Sequence, residues 1–183
     1  MPMVTYKADV PAAARLVSDY GIKVIEKALT AAGMSAGVIT STLRLPDEQA
    51  EIMYRNAKAN LTGQYKLYGN SGDQVLTVYK TNKASPKDEV VALMKAKIEE
   101  LADKGLRVSN HVTTVAKYAS LNIIDIGVNS TTAAAGTTFN KDKLTAAFRK
   151  LEKDGYIKKF IDETAKTNKC WHLEIVPNAK TLA

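Results

Sequence analysis

The chain carries only two histidines, His111 and His172, and the acid nearest in type to a partner for them, Asp125, lies inside an apolar run. Two imidazoles and one carboxylate are a common catalytic zinc set, leaving a fourth position for water. His172 belongs to KCWHLEIV, Lys169 to Val176, beside the chain's only tryptophan and only cysteine. In a strand, alternate residues share a face. Cys170, His172 and Glu174 then point one way, and Trp171, Leu173 and Ile175 the other. The second set suits a core; the first is polar and chemically able. His172 alone reads equally as a histidine on the solvent face of a sheet. Asp125, in NIIDIG, sits where burial is costly unless the charge is paired or bound to metal. Alternation groups it with Ile123 and Gly127, so it either faces solvent while Ile124 and Ile126 face a core, or it holds a ligand. His111 follows Ser109 in the loop-like RVSNHVTT.

The elements that must position these groups are legible from periodicity. Apolar residues at helical spacing from Pro11 to Gly33 predict a helix, and Ala36 to Thr42 a short strand. Pro46 with Asp47 and Glu48 behind it opens a second helix. Gly63 to Gln74 reads as a loop, followed by a short helix to about Asn82. Ser85 is placed to cap a helix, with Pro86 in its first turn, that runs to Asp103. LRVSNH and LNIIDIGV look β-like, STTAAAGTTF like a small-residue loop, and Asn140 like the cap of a helix to Asp154. YIKKFIDE and CWHLEIV close the chain as paired strands. The expected fold is α+β: N-terminal helices, then a small antiparallel sheet carrying the metal site.

Length and composition limit the rest. The 183 residues fit a single domain over 1–183, long enough for a real core without staples. One cysteine excludes an internal disulfide. No run of eighteen apolar residues exists to span a membrane. The net charge of +7 favours anionic partners, but the lysines are spread along the chain. With no block of basic residues and no interleaved aromatics, nucleic acid is disfavoured.

Taken in order, Ser109-Asn110-His111, Asp125 and His172 resemble the ligand pattern of the zinc D-alanyl-D-alanine peptidases, whose fold is shared with hedgehog-type domains and which include phage peptidoglycan endopeptidases (endolysins). ITSTLRLPDEQ supplies that family's upstream element with Ser41, Arg44 and Gln49. The resemblance covers about residues 37 to 176. It implies one Zn²⁺ on His111, Asp125 and His172, with Arg44 stabilising an oxyanion and Ser41, Gln49 and Ser109 in support. It implies cleavage of peptidoglycan stem peptides by a phage-encoded lysis or virion-associated enzyme. The N-terminal stretch lacks the layout of a secretory signal. The implied location is therefore the host cytoplasm before release to the periplasm or wall, or the virion itself, beside other virion proteins.

Two departures stand out. Thirteen residues separate His111 from Asp125, more than the family uses, and VTTVAKYAS reads as the insertion. The family's general base, three residues before the last histidine, is replaced by Lys169. An ammonium group is no proton acceptor at neutral pH. Glu174, Asp162 or Glu163 then supplies the base, Glu174 being the best placed locally. Otherwise the protein is a catalytically degenerate structural or binding component on the same fold.

Overall fold

Apolar and β-branched runs become strands here, and stretches with apolar residues three and four apart become helices. The computed structural model describes residues 1–182. Among them are seven α-helices: α1 (Asp19–Ala32), α2 (Pro46–Leu67), α3 (Asn70–Asn82), α4 (Lys87–Asp103), α5 (Val115–Ser120), α6 (Val128–Ala135) and α7 (Lys141–Lys153). Five strands accompany them: β1 (Met3–Tyr6), β2 (Ala36–Ser41), β3 (Asn122–Gly127), β4 (Lys159–Asp162) and β5 (Cys170–Ile175). The chain divides into two units, Met1–Leu43 with everything from Val115 onward, and Arg44–Thr114.

The first unit holds the whole sheet, in the order β1-β2-β3-β5-β4. The fold is α+β, but the expected antiparallel sheet is in fact mixed: β1 and β2 run parallel, while the other neighbours are antiparallel. The reason is the connection. Parallel neighbours need a crossover, and α1 supplies it. That helix begins later than its apolar spacing suggests. Ala12–Ala14 form only a 3₁₀ turn, and Ser18 caps α1 by accepting from the Gly21 N–H at 3.1 Å. Gly33, at φ 69°, ends it in the left-handed conformation that glycine adopts freely.

One face of the sheet packs on α1 and α7. Ile39, Ile124, Ile126, Trp171, Leu173 and Ile175 meet Val24, Ile25, Leu29, Leu144 and Phe148 there. Trp171 is fully buried, and its indole N–H donates to Thr145 Oγ1 at 2.7 Å. Trp171→Ala should therefore cost about 3–5 kcal/mol through lost burial and a residual cavity. A urea titration reads this as a lower midpoint, and Trp171→Phe should lose clearly less. As expected, Asn140 caps α7, accepting from Lys143 N–H at 3.0 Å, and β4 and β5 form a closing antiparallel pair.

Two stretches read as loops are helical. STTAAAGTTF lies in α6 and a following 3₁₀ turn, where fully buried Thr131 accepts from the Val38 N–H at 3.1 Å. VTTVAKYAS contains α5, whose buried Tyr118 packs with Leu43 and Ile123.

The second unit is built on α2, α3 and α4. Met53, Leu76, Val90, Met94 and Ile98 form the centre of its core. The loop expected from Gly63 to Gln74 is largely helix. Asn60 breaks α2 with non-helical angles, then restarts it by accepting from the Gly63 N–H at 2.9 Å. Gly72 sits in the first turns of α3, where a Cβ would collide with the Tyr68 side chain. Pro86, not Ser85, takes the position before α4, and no side chain caps it. Among the described residues, no helix is long and apolar enough to cross a membrane.

Candidate metal centre

Antiparallel register does the first half of the positioning. Asp125 on β3 lies directly opposite His172 on β5. Because Trp171, Leu173, Ile124 and Ile126 face the helices, Asp125 and His172 share the other face. His172 Nδ1 and Asp125 Oδ1 are 2.8 Å apart, with the histidine side chain 4% and the aspartate 16% exposed. His172 is thus neither an apolar-core histidine nor a solvent-facing one; it is buried against a carboxylate.

A bulge brings a further residue into the row. The register of β2 against β3 pairs Ile39 with Ile126 and Ser41 with Asp125, so β2 spends one extra residue there. Without it, Ser41 would face Ile124. The bulge turns Ser41 to the position beside the aspartate.

Three carboxylates surround His172. Glu174 Oε1 is 3.9 Å from His172 Nε2, and Lys159 Nζ lies 3.7 Å from the same oxygen. Glu163 receives hydrogen bonds from Lys166 Nζ and Asn168 Nδ2, both at 3.1 Å, and its Oε2 is 3.8 Å from Cys170 Sγ. Burial pushes the His172 pKa down. The Asp125 hydrogen bond, with the charges of Asp125, Glu174 and Glu163, outweighs it and holds the pKa above the usual value. The same surroundings make Cys170 a poor nucleophile: burial, then the charges of Asp125 and Glu163, push its thiol up to about 12.

Asp162 goes elsewhere. It registers with Trp171, hence on the helix-facing side, and its carboxylate accepts from Thr164 and lies 3.5 Å from Arg149. Lys169 is exposed at φ 46°, in the turn that enters β5. Of the three acids considered for proton transfer, Glu174 lies beside His172, Glu163 lies beside Cys170, and Asp162 is on the helix-facing side.

In the second unit, His111 is 7% exposed and held by its backbone. Its carbonyl accepts from the Arg44 N–H at 3.0 Å, and the Arg44 carbonyl accepts from the Thr113 N–H at 3.2 Å. Ser109 supports the turn: its Oγ accepts from the His111 N–H at 3.4 Å and its carbonyl from the Val112 N–H at 3.2 Å. Arg44 is fixed in turn. Its Nη1 donates to Gln49 Oε1 at 2.9 Å, and the fully buried Gln49 donates from Nε2 to Tyr68 OH at 3.2 Å. Arg44 therefore has a glutamine partner. Tyr68 ends this run of hydrogen bonds.

His111, Asp125 and His172 each offer one ligand atom, all within 4.8 Å of one another, and this group can hold a metal ion. The donor set fits. Ligands on a tetrahedral Zn²⁺ stand roughly 3.3 Å apart. The 2.8 Å between His172 Nδ1 and Asp125 Oδ1 is a hydrogen-bond distance. Excess carboxylate charge around the pair favours a cation further. Comparison with known protein families, with curated proteins and with solved structures found no match.

Proposed function

We propose that this chain is a zinc-dependent peptidase that cleaves peptidoglycan stem peptides, as a phage-encoded lysis or virion-associated enzyme of the D-alanyl-D-alanine peptidase type. The observation that carries this reading is the grouping of two histidines and an aspartate from distant parts of the chain. Zn²⁺ held by His111, Asp125 and His172 would supply Lewis-acid polarisation of a carbonyl and a more acidic water. The chain's own groups do the rest. Arg44, immobilised through Gln49, offers a fixed positive charge for a developing oxyanion. Glu174 Oε1 takes the proton of the attacking water, with Lys159 steadying its carboxylate.

The exposed Lys169 favours a second reading, a metal-binding virion component that hydrolyses nothing. Elemental analysis of the purified chain, paired with digestion of isolated peptidoglycan, separates the two. Stoichiometric zinc with new amino termini in the digest supports the peptidase. Zinc without cleavage leaves the binding component, and failure to take up zinc after reconstitution sinks both. If Glu174 is the base, Glu174→Gln should lower kcat about 10²–10⁴-fold with zinc content unchanged. Unaltered turnover in that variant would move the role to Glu163.

A further inference from the structure

A second group of polar side chains lies on the helix side of the sheet, away from His172. A cavity of about 440 Å³ opens between α7 and the end of β4, with Lys141, Asp142, Thr145, Arg149, Asp162 and Thr164 in its wall. That volume is within the range of small-molecule sites. Helical spacing explains one wall. Lys141, Thr145 and Arg149 stand four residues apart, so α7 presents an ammonium, a hydroxyl and a guanidinium on one face.

Thr145 is the group that the fold leaves half used. It is 9% exposed, and its Oγ1 accepts from the Trp171 indole N–H at 2.7 Å. A hydroxyl can donate as well as accept. Thr30, Thr77 and Thr132 return their hydroxyl protons to the carbonyl four residues back. Thr145 does not, and among the described residues nothing accepts its proton. The ion pair beside it is also incomplete. Arg149 Nη2 lies 3.5 Å from Asp162 Oδ2, too far for a good hydrogen bond. Asp162 Oδ1 is already taken, by the Thr164 N–H at 3.1 Å and the Thr164 hydroxyl at 2.7 Å.

We propose that this cavity binds a free α-amino acid, whose carboxylate meets the Thr145 hydroxyl and the Arg149 guanidinium and whose ammonium group meets Asp162 Oδ2. The charges in the wall select this class. Two cations, Lys141 and Arg149, are matched by two anions, Asp142 and Asp162, so neither a polyanion nor a polycation gains by entering. A zwitterion carries both charges on one carbon, as the wall sets a guanidinium beside a carboxylate. Arg149 can grip a carboxylate with two parallel N–H bonds, and the spare proton of Thr145 needs an acceptor of that kind. Occupancy reaches the chain's only tryptophan, because the same Thr145 Oγ1 holds its indole N–H.

The test is isothermal titration of the full chain with glycine, L-alanine and L-glutamine, with Trp171 emission followed on the same samples. Saturable binding of at least one, with a change in emission, is expected. The N-acetyl and amide forms of that amino acid, each lacking one charge, should bind at least about tenfold more weakly. Arg149→Gln and Asp162→Asn change partly exposed side chains, and each should weaken the amino acid at least about tenfold in a chain that still melts cooperatively. Thr145→Val should lose binding, and Thr145→Ser, which retains the hydroxyl, should keep it. Equal affinity for the blocked forms would overturn the proposal. Unchanged binding in Arg149→Gln and Asp162→Asn would overturn it too, and would place the ligand elsewhere, the metal centre included. So would the absence of both heat and a Trp171 response up to roughly 10 mM of every amino acid tested.

Discussion

His172→Ala should abolish stoichiometric zinc binding. Loss of a hydrogen-bond partner behind a ligand already costs roughly 10–100-fold in metal affinity. Loss of the ligand itself costs more, because the two remaining donors cannot complete a tetrahedral set. The variant also leaves Asp125, 16% exposed on the side chain, facing a methyl group in place of an imidazole 2.8 Å away. Without metal, that should lower stability by about 1–3 kcal/mol. Isothermal titration with zinc reads the first effect, and urea unfolding in chelator the second. Arg44→Gln is the contrast, since its side chain is tied to Gln49 and offers no ligand atom. It should keep full zinc and lose turnover. Wild-type zinc content in His172→Ala would remove the histidine from the site whatever happens to activity.

The sheet face of this site is visible in the sequence; what holds it together is less so. Alternation in KCWHLEIV separates His172 from Trp171 and Leu173, because a strand with one apolar face has a fixed period of two. The register that sets Asp125 opposite His172 depends on β3 meeting β5 across the 42 residues of intervening chain, and no local pattern encodes it. The bulge that turns Ser41 toward Asp125 is likewise a property of two strands together. β1 is only four residues long, too short for periodicity to stand out, and it joins the sheet through its neighbour's backbone. α6 is composed of small residues that carry no apolar stripe, yet Thr131 and Ala135 pack closely because they are small. Glycine misleads around residue 72 for a related reason: it serves close packing against Tyr68, not a turn. Arg44, Gln49 and Ser109 were legible as residue types. Their geometry rests on the isolated bridge between Arg44 and Val112, two residues that lie far apart in the chain.

Acid and metal should act on this protein in opposite directions. In the metal-free chain, His172 has a folded-state pKa above its ordinary value of about 6.5. A raised pKa means that the folded state holds the proton more tightly than the unfolded state does. The associated stability is complete below about pH 6.5 and is lost as pH rises through the higher folded value. Zinc requires the neutral imidazole, so protons compete with it. Below the raised pKa, His172 alone should weaken zinc up to about tenfold per pH unit, beginning at a higher pH than for an ordinary histidine. Because zinc stabilises the fold by RT ln(1 + [Zn]/Kd) and Kd rises as protons compete, its contribution to the melting temperature should shrink as pH falls. Melting series from about pH 5 to 9, one in chelator and one in excess zinc, should therefore converge at the acidic end and diverge at the basic end. His172→Ala should flatten the chelator series across the same window and remove the zinc increment. Parallel wild-type curves in chelator and zinc would mean that the buried pair and the metal do not compete for the same nitrogen. His172 would then be an orienting partner of Asp125 and not a ligand.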